Sequence, residues 1–368
     1  VTDHPPTLPL PPALIAQLQE TPQNPRYHAE GNVYNHVLLV LQQFEQQAPA
    51  LDLSPREREI LYWAVLLHDA GKPAVTRWEQ GRWTAQGHEL AGLPIARELL
   101  LRHSPLDAAA RQQVLELVKW HHVPLQWGIR NVSYDAYLRL ATQTDLRLLG
   151  LFAAFDLAGR ICERQDAVLG LIRRFNEELA PRIAYELGSY ADLQTAFRQA
   201  SRSRQNALWH ALNHHDIRLM IKLLQREAPS PEPAQFRCVL TLGLPGAGQA
   251  AWAAESHPGY TPYDCAQLPL AAGSTHTMQQ QYRQLYHFIS VYGQARKPIV
   301  LTGLPLDPVL RQPVTRFIRQ QGGHMTGLFF DRLPAGSGMV SGPGTLPPAW
   351  AQLDLPHPWE MHQLELIG

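Results

Sequence analysis

Lysine is scarce in this chain. Only Lys72, Lys119, Lys222 and Lys297 occur among 32 basic residues, and 32 acidic residues bring the formal net charge to zero. Without a global basic field, any nucleic-acid contact must come from a local patch. Cysteine is scarcer still. Cys162, Cys238 and Cys265 stand far apart and no CxxC pair occurs, which argues against a disulfide framework and a cysteine zinc site. No apolar run approaches a membrane span. Residues 1–12 are rich in proline and lack the apolar stretch of a secretory leader. The expectation is a cytoplasmic protein with no membrane partner. What the chain does have is 45% hydrophobic against 17% charged residues over a length of 368. That suffices for packed cores and suggests two or three domains.

Residues 30 to about 225 read as helix after helix. In "SPREREILYWAVLLHDAG", Ser54 is a candidate N-cap, Pro55 takes the first helical position and Glu57 closes a capping box. Ile60, Ala64 and Leu67 recur at helical spacing, Gly71 is expected to end the helix, and Pro73 follows. "SPLDAAARQQVLELVKWHH" is expected to start in the same way at Ser104 and Pro105. Residues 146–160 form another apolar helical stretch. "EAPSPEPAQ", 227–235, reads as a linker with three prolines. After it the texture changes to a buried strand running into a glycine turn over 237–248 and further buried strands at 297–306 and 322–333, with helical stretches between. The expected fold is therefore multidomain: an all-α domain over 1–226, then an α/β domain over 236–368 with a mostly parallel sheet. The tail, 336–368, carries no assignable role.

The chemistry concentrates in the helical part. His36 lies in "YNHVLLVL", His68 and Asp69 in "LLHDAGK", His88 in "QGHELAG", His121 and His122 in "VKWHHVP", and Asp156 in "AAFDLAGR". Imidazole and carboxylate together suit divalent manganese, nickel, cobalt, zinc or iron. Several of these groups sit among apolar residues on helix faces, where polar groups need partners and a metal is one. Lys72 follows Asp69 by three residues and Arg160 follows Asp156 by four, so each pair can share a face. Cations so placed suit phosphate, or simply neutralise their carboxylates.

The ordered H…HD…H…D set resembles the HD superfamily of metal-dependent phosphohydrolases over roughly residues 25–165. The wider phrasing, from "QNPRYHAEGNVYNH" to the adjacent histidines, is similar to the branch that includes the HD domain of bacterial tRNA nucleotidyltransferases. That branch often has Asp where this chain has Asn32. The resemblance implies that His36, His68, Asp69 and Asp156 hold one metal. It implies that Asp69 bridges to a second, with His88 and His121 as further ligands, and that a metal-activated water attacks phosphorus. His121 is preferred to His122 because the family pattern has its ligand there. The apolar face of Val114, Leu117 and Val118 also points slightly nearer to it. Asp69, Lys72 and Arg160 are the expected catalytic residues.

"GLPGAGQAAW", 243–252, has the glycines of a phosphate-binding loop, Gly243, Gly246 and Gly248. Gln249 and Ala250 follow where Lys and Ser or Thr belong. A helical HD domain followed by such a loop resembles bacterial RNA end-healing fusions of an HD phosphatase with a P-loop polynucleotide 5′-kinase. The kinase half departs from that family at its working positions. Asp264 matches the acceptor-activating Asp, but the arginine expected soon after is replaced by residues such as Gln267. "VLTGLPL" has no Asp until Asp307, and 333–345 lacks the arginines of a lid. ATP is not expected as a cofactor, although the backbone of the loop could still hold an anion.

The reading is then a metal-dependent phosphohydrolase carrying one or two divalent ions, with a kinase-like domain that lacks phosphotransfer residues. Its substrates would be 2′ or 3′ phosphates on RNA ends, or nucleotide phosphoesters, and a homodimer is possible. The alternatives are a non-catalytic RNA-end-binding or scaffold protein, and an HD nucleotidase or cyclic phosphodiesterase. An atypical kinase using Arg311 or Arg316 in place of the lysine is a further alternative.

Overall fold

The computed structural model describes residues 8–130, 132–162, 165–188, 192–193, 195–196, 200, 202–213, 216–224, 236–243, 246–267, 282–304, 308–330 and 363–367. The expected linker, Asp307, the expected lid and most of the tail lie outside these residues. Packing divides the chain into two compact units near residue 190.

The first unit is helical. Its elements are α1 (Pro12–Glu20), α2 (Val33–Gln47), α3 (Pro55–Leu67), the four-residue α4 (Lys72–Val75), α5 (His88–His103), α6 (Ala108–Trp120), α7 (Val123–Arg130), α8 (Tyr134–Ala141), α9 (Leu146–Ala158), α10 (Gln165–Arg174) and α11 (Ala180–Leu187). One departure from helix stands between α4 and α5. An antiparallel ribbon, β1 (Arg77–Glu79) and β2 (Arg82–Thr84), turns at Gln80 and Gly81, both with positive φ. Two such residues in a row make the tight turn that matches strand twist.

Helix α3 organises the unit. It packs against α2, α5, α6 and α9, and Ile60, Leu61 and Trp63 to Leu67 are all buried. A helix apolar on nearly every side belongs at the centre of a bundle. Its start is as expected: Ser54 and Glu57 form the reciprocal capping box, with Pro55 at the first position. The start of α6 is not. Asp107, not Ser104, accepts from Ala110 N at 2.8 Å. Ser104 instead closes α5, its hydroxyl donating to Leu100 O at 2.7 Å. Arg56 grips both oxygens of Asp107 at 2.6 and 2.7 Å, and Arg147 pairs with Glu57. The N-terminal ends of α3, α6 and α9 are thereby tied together. Exposed pairs of this kind add at most about 1 kcal/mol each, so they align the helices more than they stabilise them.

Two close approaches bring the opposite ends together. Gly159, just after α9, lies against α2: a Cβ there would stand 2.6 Å from Val40 N. Gly71 is not the left-handed helix terminator expected. Its φ is −85° and it precedes α4. Its need for glycine is contact, because a Cβ would fall 2.1 Å from His88 O and 2.4 Å from Gly92 N.

In the second unit, α12 (Arg202–Asn213) and α13 (Ile217–Leu224) precede the sheet. The remaining elements are β3 (Phe236–Gly243), α14 (Gln249–Ser256), β4 (Thr261–Asp264), α15 (Arg283–Gln294), β5 (Ile299–Thr302), α16 (Pro308–Gln320), β6 (Gly323–Phe330) and β7 (Gln363–Ile367). The sheet order is β4-β5-β3-β6-β7 and every pairing is parallel. Val239 on the central strand registers with Val300 on one side and Thr326 on the other. Cys238 to Leu242 are buried without a break, as expected of a strand covered on both faces. The last strand comes from the tail that sequence alone left unassigned.

Candidate metal centre

The ligand-type side chains lie where helices end or begin. His36 is on the first turns of α2, His68 caps the C-terminus of α3, Asp69 follows it, His88 opens α5, His121 caps the C-terminus of α6, and Asp156 is on the last turn of α9. The convergence suits a cation, because helix C-termini carry partial negative charge. All six are at most 4% exposed.

The ring nitrogens are sorted by their partners. His68 Nδ1 donates to Val65 O at 2.8 Å and His121 Nδ1 to Val118 O at 2.7 Å, each satisfying a last-turn carbonyl of its own helix. His88 Nδ1 donates to Ala85 O at 2.7 Å. His36 Nδ1 stands 3.0 Å from Glu30 Oε1, off the line of a well-aligned hydrogen bond. With hydrogen on each Nδ1, every neutral ring turns a bare Nε2 lone pair inward.

Those lone pairs meet. His36 and His68 approach Nε2 to Nε2 at 3.3 Å, and His88 and His121 at 3.4 Å. Two acceptors at such separations require a cation or a proton between them. Asp69 joins the two pairs. Its Oδ2 is 3.2 Å from His68 Nε2 and 3.6 Å from His36 Nε2, while its Oδ1 is 3.2 Å from His88 Nε2. Neither oxygen has a well-formed hydrogen bond. Asp156 Oδ1 lies 3.0 Å from His36 Nε2. Ligand atoms of His36, His68 and Asp156 fall within 4.8 Å of one another, as do those of His88, His121 and His122.

Two cations complete the centre. Lys72 Nζ is 2.7 Å from Asp69 Oδ2, and Arg160 grips both oxygens of Asp156. Sequence reasoning anticipated both pairings but missed what holds them. Gln23 accepts from Lys72 Nζ at 2.6 Å and donates to Asn32 O at 3.1 Å. Glu30 bonds His28 Nδ1 at 2.8 Å and receives Ile161 N at 3.0 Å, which ties the loop before α2 to the segment after α9. Asn32 caps α2 by accepting from Asn35 N at 2.9 Å, a role that Asp would also fill. His122, set aside from sequence, lies with its ring centroid 4.0 Å from that of His121 and 4.8 Å from that of His88.

Burial opposes every charge in the centre, and the neighbours decide the outcome. For Asp69, the neighbouring His68, Lys72 and His88 outweigh burial and hold the carboxyl well below its ordinary range. Asp156 is held down by Arg160 and His36 against the same penalty. His36 is raised in spite of burial, because Asp156 and Glu30 accept from it. His121 is pushed well down by burial and by the nearby His68 and His88. Ionised carboxylates and a neutral imidazole are the forms that bind metal.

Residues 33–156 match the HD domain family. The matched span opens three residues before His36 and closes on Asp156. HD domains are in general metal-dependent hydrolases that bind divalent ions, and the HD domain here has the His and Asp groups to hold them. No curated protein matches the chain. Among the described residues no helix is long and apolar enough to cross a membrane.

The glycine loop is the second place where sequence anticipated a ligand. It leaves the C-terminal end of β3 and enters α14, with positive φ at Gly243, Gly246 and Gly248. A Cβ on Gly243 would meet Phe330 O at 2.9 Å and Gln249 Nε2 at 3.2 Å. Gln249 is buried. Asp264 ends β4 and accepts from Ala266 N at 3.0 Å. Arg311 is fully buried and Arg316 is exposed on α16.

Proposed function

We propose that this protein is a metal-dependent phosphohydrolase that removes 2′ or 3′ phosphate from RNA ends or nucleotides. His36, His68, Asp69 and Asp156 would hold one divalent ion, and Asp69, His88 and His121 a second. When bound, such ions supply a Lewis acid for phosphoryl oxygens and lower the pKa of water. The chain's own residues do the rest. The Nδ1 contacts hold four rings in the orientation that points Nε2 inward. Gln23 steers the Lys72 ammonium, and Asp156 orients the Arg160 guanidinium. Both cations stand beside the carboxylates, where they can meet phosphate oxygens and stabilise charge on a departing group.

The observation that carries this reading is the convergence of four Nε2 lone pairs on two carboxylates held ionised, with Lys72 and Arg160 alongside. The choice of RNA ends rests on the order of the chain, a helical HD part followed by a glycine-turn α/β part. The glycine loop follows β3, and the connections that leave β3 and its neighbour β5 run to opposite sides of the sheet, the usual place for a ligand in such sheets. With Gln249 and Ala250 in place of Lys and a hydroxyl, we propose that it carries no phosphotransfer.

The test is release of inorganic phosphate from oligoribonucleotides ending in 2′ or 3′ phosphate, with manganese, nickel, cobalt or zinc, beside Asp69→Ala. Metal-dependent release that vanishes in the variant is the expected result. No release with any metal, from protein shown to bind one, sinks the reading.

A further inference from the structure

The β1–β2 ribbon is placed as though it belongs to the metal centre rather than to the core. Both of its ends are hydrogen-bonded to residues of that centre. Thr76, just before β1, donates its hydroxyl to Lys72 O at 2.8 Å, and Ala85, just after β2, accepts from His88 Nδ1 at 2.7 Å. Strands of three residues span about 10 Å, so the ribbon extends only about that far from these two anchors.

Its composition is wasteful for a structural element. A lone two-stranded ribbon is marginal in water, yet this one carries Trp78 at 59% exposure. Trp78 registers directly with Trp83, on one face, the rings 5.1 Å apart and edge to face. Trp83 thus braces a ring that is itself more than half exposed. On the opposite face Arg77 and Arg82 are exposed, and neither has an ion-pair partner among the described residues. Glu79, the ribbon's single acid, bonds Thr84 at 3.2 Å. The ribbon thus offers an exposed indole on one face and uncommitted guanidiniums on the other, the two kinds of group that single-stranded nucleic acid uses. Bases stack on aromatic faces whatever their identity, and phosphates meet cations.

We infer that the ribbon is a docking arm for a single-stranded nucleic acid whose terminal phosphate enters the metal centre. Trp78 stacks on a base near the end, and Arg77 and Arg82 meet the backbone. This rests on the hydrolase reading for the position of the reacting phosphate, but not for the binding itself. It also explains how a chain with no net charge can hold a polyanion: the contact is local and largely through stacking.

The experiment compares Trp78→Ala and Trp78→Phe with the unaltered protein on three substrates. These are a 3′-phosphorylated oligoribonucleotide, the same strand with its last bases removed, and p-nitrophenyl phosphate. The expected result is a KM for the oligoribonucleotide raised about tenfold in Trp78→Ala, as loss of one stacked base implies. In that variant kcat and all p-nitrophenyl phosphate kinetics stay unchanged, and Trp78→Phe recovers most of the loss. The abasic strand should bind the unaltered protein as poorly as the intact strand binds Trp78→Ala. Equal effects on all three substrates, or an unchanged KM in folded Trp78→Ala, overturn the arm. If the unaltered protein hydrolyses none of them, the hydrolase reading fails but the arm is still tested. Titration with the intact strand should quench tryptophan emission in the unaltered protein and not in Trp78→Ala. Binding without that difference, or no binding of the strand at all, overturns it.

Discussion

The two places proposed to bind ligand are built in different ways. In the helical unit the backbone contributes carbonyls that orient side chains, and the side chains supply the charge. In the α/β unit the backbone itself forms the receptacle, a glycine turn at the head of α14, and the side chains supply no charge. The first depends on the identity of about ten residues. The second keeps its shape through three glycines, because Gly243 lies too near Phe330 and Gln249 to admit a Cβ. A fold can thus preserve the frame of a site after the charged groups are gone, whereas a buried charged cluster has no neutral frame to fall back on. Lys72 holds Asp69 and Arg160 holds Asp156, and removing one member of a pair leaves the other uncompensated.

The largest test of that contrast is Asp69→Asn. It keeps the shape, deletes the charge shared by both histidine pairs, and should abolish metal-dependent phosphate release, by about a thousandfold or more. Metal content per chain, measured by elemental analysis, should fall with it. Retained metal and activity would mean that the two histidine pairs bind independently of Asp69. Next is Glu30→Gln, which leaves every proposed ligand intact but weakens the hold on His36. Outer partners of metal-bound histidines are worth about 10- to 100-fold in affinity, and competition with a chromophoric chelator reads the change.

The pH dependence comes third. In the metal-free protein His36 is raised above its usual 6.5 by Asp156 and Glu30. Its proton therefore contributes stability that is fully present below 6.5 and lost as pH rises through the folded value. Asp69 and Asp156 are lowered, so their contribution is present above 3.8 and lost only as pH falls well below that. Burial lowers His28, His121 and His122 and works the other way, so the readout is the melting temperature lost in His36→Gln, which in metal-free protein should be larger at pH 6 than at pH 9. Added metal, which takes the place of the His36 proton, should reverse the order. The same order with and without metal would remove His36 from the ligand set. The smallest expected effect is in the other unit. Gln249→Lys returns a cation to the glycine loop and should give ATP a shift in melting temperature of a few degrees that the unaltered protein lacks. It should not restore transfer to a 5′-hydroxyl strand, because Ala250 still offers no hydroxyl for magnesium.

Sequence made the clustered His and Asp residues legible because they recur in an ordered pattern on helices with clear start signals. The capping box at Ser54 and Glu57 is local chemistry, readable residue by residue. What stayed hidden depends on contacts between distant segments. Gln23, His28 and Glu30 sit in an aperiodic loop and gain meaning only when Ile161 and Lys72 are folded against them. The start of α6 was misplaced because Ser104 and Asp107 are both good caps, and only the end of α5 decides between them. The ribbon was missed although "EQGR" between two tryptophans is a fair turn signal, since strands of three residues are too short to show alternation. Gly71 was read as a terminator when its constraint is the approach of His88 and Gly92, which lie about twenty residues on.

His68 and His121 each use one ring for two purposes. The Nδ1 side finishes a helix and the Nε2 side faces the centre. Neither ring can swing away to follow a departing ion without first releasing the carbonyl of Val65 or Val118 and fraying the last turn of α3 or α6. Escape of the ion is therefore coupled to helix fraying, not to the rotation of a free side chain. The residence time of the ion becomes a property of the scaffold. The exchange rate of an ion bound there should rise with temperature as steeply as the opening of the helix ends.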